Sequence, residues 1–197
     1  YGQGISRSPR KIHSKSGRHI SWTGAFAPFT VGGRRAHPPK VEKELKIKIN
    51  VKERRKAIRS AIAATTNIIL VQERGHVAVT APLVVDHSFE SLSKAKDVVV
   101  ALKKLGLEKE LERASIKKVR SGKGKMRGRK HIRKTSMLIV LSKDCPLAKA
   151  AQNLPGFDII MVKNLNAELL APGTHAGRLT MWTEDAVKML EKENLFA

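Results

Sequence analysis

Cysteine is nearly absent from this sequence: Cys145 stands alone among 197 residues, so no disulfide can close within the chain. A single thiol fits a reducing compartment. No apolar run approaches the ~18 residues that a bilayer-spanning helix needs. No charged-then-apolar leader opens the sequence, and neither a basic amphipathic membrane helix nor a lipidation signal is found. A membrane is therefore not the expected partner. Acid is scarce as well. Asp and Glu number 17 against 39 Lys and Arg, a net charge of +22. Such an excess destabilises a compact state through self-repulsion unless a polyanion relieves it, and nucleic acid is the commonest polyanion.

The residue patterns of small-molecule and metal chemistry are missing too. The stretch "GKGKMRGRK" (122–130) looks at first like a phosphate loop, but a Walker-type loop needs a second glycine five residues after the first. Counting from Gly122 reaches Arg127 and from Gly124 reaches Arg129, so that spacing fails, and G-x-G-x-x-G fails at the same Arg127. No Cys/His spacing suits zinc, and the basic stretches hold no carboxylates for a metal nuclease. The histidines are scattered. His87 follows Asp86, where a catalytic pair is conceivable but a plain loop histidine is several times commoner. Cys145 lies near a helix start with no histidine in the surrounding sequence, which reads as an inert thiol. No catalytic residue, cofactor, metal or small-molecule substrate is expected.

What the sequence does have is charge in two blocks. Residues 1–41 hold eight Lys or Arg, six Gly and four Pro, no acid, and neither helical nor strand periodicity. By composition this segment should not fold alone. A solvated basic tail is the plain reading, yet four of the chain's eight aromatic residues (Tyr1, Trp22, Phe26 and Phe29) lie there. Rings interleaved with Arg suit stacking on unpaired bases, which favours an arm that orders on RNA. The second block, Arg113 to Lys143, has twelve Lys or Arg and again no acid. Residues 144–197 carry a net charge of −2, so the cations belong to arms on an otherwise ordinary body.

The body reads as alternating helices and strands. Asn50 with Glu53 is a helix start, and the helix runs to about Thr65 with Ile58, Ala61 and Ile62 on one side. Lys52, Arg55, Lys56 and Arg59 cover the other side, within roughly 100° of arc, and are expected to meet phosphates. A strand is expected near Leu83 to Asp86, then a helix with Ala95, Val98, Val99, Leu102 and Leu105 as its stripe. "SMLIVLS" is a buried strand, Asp144 and Pro146 open a short helix, "FDIIMV" and "RLTMWT" are strands, and a helix follows Thr183. The expectation is an α/β fold: one three-layer domain with a mostly parallel sheet over 42–197, plus long basic extended arms. The arms are residues 1–41 and about 117–134.

Six separated stretches, in order along essentially the whole chain, resemble one family. They are "GISRSPRK", "VGGRRAHPPK", "NVKERRKAIRSAIAAT", "GKGKMRGRK", "NLPGFD" and "LLAPGTHAGRLTMWTE", and the family is the universal large-subunit ribosomal protein four in its archaeal form. The resemblance implies a structural constituent of the large ribosomal subunit, in the cytoplasm. It is expected to bind large-subunit rRNA beside neighbouring ribosomal proteins, and not as a homo-oligomer. It also implies a surface α/β domain and a long internal loop reaching toward the peptide exit tunnel. That loop would span Gly4 to Pro39, with Arg18, His19 and Trp22 nearest the tunnel. The rRNA-binding residues are then Arg7, Arg10, Lys11, Lys15, Arg18, Trp22, Arg34, Arg35, His37 and Lys40 in the first arm, and the four cations of the helix. The second arm adds Lys123, Lys125, Arg127, Arg129, Lys130 and Arg133. The family begins with a strand and a helix that this sequence does not contain, so the chain reads as lacking that N-terminal segment. The rival classes are a basic DNA- or chromatin-binding protein and an RNA-processing enzyme.

Overall fold

A computed structural model describes residues 8–196; the chain divides into two compact units, Tyr1–Lys48 and Ile49–Ala197. The first unit contains an antiparallel hairpin, β1 (Arg10–Ser16) and β2 (His19–Gly24). No strand period is visible in these residues, and the register explains why. Ile12 pairs with Trp22, but the next pair is Ser14 with Ser21, so His13 is an extra residue that bulges out of β1. A bulge shifts the side-chain alternation by one, which erases a period of two. At the foot of the hairpin, Ala25 N–H donates to Pro9 O at 2.8 Å, and Thr30 Oγ1 donates to the carbonyls of Ala25 and Ala27. Residues 35–48 form neither strand nor helix.

The second unit begins with α1 (Val51–Thr66), which buries Ile58, Ala61 and Thr65. Asn50 occupies the capping position, but its side chain makes no bond to the helix; only its carbonyl accepts, from Arg54 N–H at 3.0 Å. Asn67 stops α1 and caps α2 (Ile68–Glu73), its Oδ1 accepting from Ile69 N–H at 3.0 Å. Then come β3 (Leu83–Val85), α3 (Ala95–Lys104) and α4 (Glu108–Ser115). A two-stranded ribbon follows, β4 (Lys118–Val119) and β5 (His131–Ile132). The remainder alternates: β6 (Leu138–Leu141), α5 (Pro146–Ala151), β7 (Asp158–Met161), α6 (Ala167–Leu170), β8 (Thr180–Thr183) and α7 (Glu184–Lys192). Pro146 sits at the first turn of α5, where its missing N–H is no loss. Glu184 and Asp185 open α7 and Lys192 closes it, each complementing the helix dipole.

Strands β3, β8, β6 and β7 lie side by side in that order, every pair parallel. Central β6 is buried on both faces, which is why its sequence is a continuous apolar run. Leu138 and Val140 pack with Ile58 and Ala61 of α1, Leu170 of α6, Trp182 and Ala186. Ile139 and Leu141 point the opposite way, to Val98 and Leu102 of α3, Leu147 of α5 and Met181. The expected three layers are therefore present, with the sheet in the middle. Truncating one such side chain, as in Ile139→Ala, removes burial worth about 3 kcal/mol once the cavity is included. Leu105, placed on the stripe of α3 by its spacing, lies just beyond the helix end and is exposed.

Candidate nucleic-acid interface

Of the cations expected to touch RNA, Arg7 lies outside the described residues; all the others are exposed. In the first unit, Arg18 sits in the turn between β1 and β2, His19 opens β2, and Trp22 lies further along it opposite Ile12. Arg34, Arg35, His37 and Lys40 follow in the irregular segment. In the second unit, Lys52, Arg55, Lys56 and Arg59 face outward from α1 while Ile58 and Ala61 face the sheet. The first unit's cations are on one body and those of α1 and the ribbon on another.

The stretch 122–130, expected as part of an extended arm, has a defined course. Arg120 N–H donates to Lys130 O at 2.8 Å, extending the ribbon by one rung beyond Val119 and His131. Lys123–Arg127 then winds into a single 3-10 turn, and Arg129 N–H closes onto Gly124 O at 3.3 Å. Arg120 Nε donates to Arg129 O at 3.1 Å across the base of that loop. Lys123, Lys125, Arg127, Arg129, Lys130 and Arg133 all project into solvent. The crowding is felt by His131: partial desolvation and then Lys117, Lys130 and Arg133 hold its pKa below the ordinary histidine value.

The ribbon is rooted in a buried carboxylate. Glu110 of α4 accepts from both sides of the arm's base: Ser136 Oγ–H at 2.8 Å, and Arg113 through Nε at 2.8 Å and Nη2 at 2.6 Å. His76 Nδ1 lies 2.9 Å from the same carboxylate and Val77 N–H donates at 3.0 Å. The same ring nitrogen also lies 3.1 Å from Arg113 Nη2. Burial opposes the charge on Glu110, but these donors, Arg113 foremost, outweigh it and hold the pKa at about 2. Arg113 also donates to Thr135 O at 2.9 Å, tying the residues before the ribbon to those after it. Gly156 of "NLPGFD" closes the same corner, since a Cβ there would meet Lys134 O at 2.4 Å.

A second buried ion sits close by in the chain's path. Arg178 is wholly enclosed and donates to Ser136 O at 2.9 Å, Leu169 O at 2.8 Å and the Asp158 carboxylate, so it pins the entries of β6, β7 and β8 together. Gly177, at φ +84°, lets the preceding loop approach α2, where a Cβ would meet Leu70 O at 2.6 Å. Arg74 donates to the carbonyls of Pro172 and His175 in that loop. Between them lies a cleft of about 720 Å³ edged by Arg74, His76, Arg113, Lys134, Thr135 and His175. Spacing in the sequence carried little signal for Glu110, His76 or Arg178: apart from Arg113, three residues from Glu110, and Leu169, nine before Arg178, the partners named here lie 20–42 residues away.

A family model described as the ribosomal protein L4/L1 family matches residues 1–193. This chain belongs to the ribosomal protein L4/L1 family. It is 50% identical over 191 residues to a protein named large ribosomal subunit protein uL4 from Archaeoglobus fulgidus, covering 96% of this chain and 73% of that one. The protein of the same name from Methanospirillum hungatei is 50% identical over 194 residues, 98% of this chain and 74% of its own. That from Nanoarchaeum equitans is 49% identical over 198 residues, 100% and 74%.

Cys145 is half-buried, and desolvation followed by the nearby Glu90 carboxylate raises its thiol pKa to about 11, away from a nucleophilic thiolate. His87 does not pair with Asp86; its Nδ1 lies 2.7 Å from Asp185 at the start of α7. His87, Glu90 and Asp185 offer ligand atoms within 4.8 Å of one another. Glu90 is buried and accepts from Ser142 Oγ–H at 3.3 Å. Asp86 accepts from Ser88 instead, at 2.9 Å.

Proposed function

We propose that this protein is a structural constituent of the large ribosomal subunit, in the cytoplasm, where it holds large-subunit rRNA with two basic arms. The observation that carries the reading is the segregation of charge. Cations crowd the hairpin, the outer face of α1 and the ribbon, all exposed, whereas buried acid and base are spent within the body on each other. Family membership supplies the assembly in which such arms work. The division into arm 1–41, body 42–197 and second arm about 117–134 is part of the proposal. So is the assignment of Arg7, Arg10, Lys11, Lys15, Arg18, Trp22, Arg34, Arg35, His37 and Lys40 to rRNA. The same holds for Lys52, Arg55, Lys56, Arg59, Lys123, Lys125, Arg127, Arg129, Lys130 and Arg133. The first arm is directed toward the peptide exit tunnel, with Arg18, His19 and Trp22 foremost. The protein acts without catalysis and without a small-molecule substrate, as a single copy among neighbouring ribosomal proteins.

Cations of this density bind by displacing counterions from phosphates, so affinity should fall steeply with salt. The decisive experiment is co-sedimentation: the chain should remain with large subunits after a high-salt wash. Release by the wash, or preference for duplex DNA over folded rRNA in a salt titration, would favour the DNA-binding alternative. Nothing in the comparisons supports that alternative or an RNA-processing enzyme.

A further inference from the structure

The hairpin of the first unit has two unlike faces. Cross-strand partners share a side, and the bulge at His13 moves β1 by one position, so Ile12, Lys15, Ile20 and Trp22 fall on one face with Arg10 at its end. Ser14, Ser16, Ser21 and Thr23 fall on the other, with Lys11 and His19. The first face is an apolar stripe left in water: Ile12 and Trp22 are each 52% exposed and Ile20 39%. A stripe of this kind needs an occupant. An apolar protein surface would leave Arg10 and Lys15 unneutralised at its rim, in a segment that contains no acid. An RNA strand with unpaired bases satisfies both demands, offering π-faces to the ring and phosphates to the cations.

We infer that the Ile12–Trp22–Ile20 face is a stacking platform for unpaired bases of RNA, with Trp22 as the stacking ring and Arg10 and Lys15 on the flanking phosphates, while the hydroxyls of the opposite face take no part in the stacking. This rests on the reading that the first unit binds rRNA, and it adds which face does so and by what contact. Isoleucines on either side hold the indole upright and widen the surface a base can cover. Those hydroxyls are equally well served by solvent, so they gain little from burial.

The test uses the full chain with large-subunit rRNA, a single-stranded oligoadenylate, and an RNA duplex of equal charge. Trp182 is buried in the sheet, so an emission change on binding reports Trp22. Oligoadenylate should quench that emission and the duplex should not. Trp22→Ala should weaken oligoadenylate binding roughly tenfold without changing its salt slope, because stacking releases no counterion. Trp22→Phe, which keeps a ring and the hairpin's packing, should recover most of that loss. The double change Ser21→Ala with Thr23→Ala should alter affinity less than twofold. Unquenched emission at saturation, a Phe variant as weak as Ala, or an equal loss from the hydroxyl face would overturn the platform. Failure of the wild-type chain to bind rRNA at all would instead overturn the reading beneath it.

Discussion

The two basic arms carry similar charge and similar exposure, yet they are held in place by different means. The ribbon leaves and re-enters the body through a corner where Glu110, Arg113, His76 and Ser136 are bonded to one another among buried side chains. The hairpin has a strand ladder and the Thr30 turn at its foot, and among the described residues of the first unit only Ala27, in that turn, is buried. Charge alone therefore does not say whether an arm is preformed. A carboxylate that accepts from both ends of the ribbon fixes its direction, whereas the hairpin is held only by its own ladder and the turn at its foot. The comparison can be broken at its strongest point. Glu110→Gln leaves Arg113 without its counter-charge in a half-buried corner, a change worth about 3 kcal/mol. Urea unfolding should show that loss, and the ribbon should then yield to protease as readily as the hairpin. A ribbon that stays resistant would mean that Glu110 does not root it.

The same carboxylate makes an acid-sensitivity prediction whose sign is fixed. Glu110 has its pKa lowered from 4.5 to about 2 in the folded protein. A depressed carboxyl pKa contributes stability that is complete above 4.5 and is lost as the pH falls toward 2. The melting temperature should therefore fall more steeply over that window for the wild-type chain than for Glu110→Gln. Parallel curves would remove Glu110 as the cause.

The body was largely legible in the sequence and the corner was not, for a physical reason. Periodicity reports which side of an element faces a core, so α1, α3 and α7 declared themselves through Ile58, Val98 and Ala186, and β6, buried on both faces, through its continuous apolar run. The hairpin has no core side and carries a bulge, so its alternation was hidden. Helix α4 offers only Leu111 and Ala114 to the interior, too few for a stripe, and α2 is six residues long. The Glu110–Arg113 spacing of three is that of any exposed helical pair, so Glu110 looks like a surface glutamate until His76, 34 residues earlier, is brought against it.

A contrast in salt dependence sharpens the difference between the arms. Replacing Lys123, Lys125, Arg127, Arg129 and Lys130 by Ala should flatten the salt slope of rRNA binding by up to about 0.7 for each lost contact to an unpaired strand. These cations are displayed by a formed loop, so their removal should leave binding enthalpy per remaining contact unchanged. An unchanged slope would mean that they are merely solvated. Limited trypsin digestion of the free chain should meanwhile cut first between residues 10 and 40 and later in the ribbon, even though both are rich in Lys and Arg. Cutting in the reverse order would contradict the rooting of the ribbon by the corner.

The smallest effect is a proton. In the ribbon, desolvation together with Lys117, Lys130 and Arg133 disfavours the imidazolium of His131, so the ring stays neutral to a lower pH than an ordinary histidine. Phosphates arriving at those cations replace repulsion with attraction and shift the balance back toward the charged form. Binding of rRNA to the ribbon should therefore take up a fraction of a proton near neutral pH, and affinity should rise as the pH is lowered through the histidine range. Calorimetry in two buffers of different ionisation enthalpy measures the uptake directly. His131→Ala should remove the part that the ribbon contributes while leaving the fold intact, because the side chain is exposed. Such linkage requires the cations to be gathered before RNA binds: in an arm that orders only on contact, the histidine would start from its ordinary pKa and take up less. Uptake unchanged in His131→Ala would place the titrating group elsewhere and weaken the case that this arm is preformed.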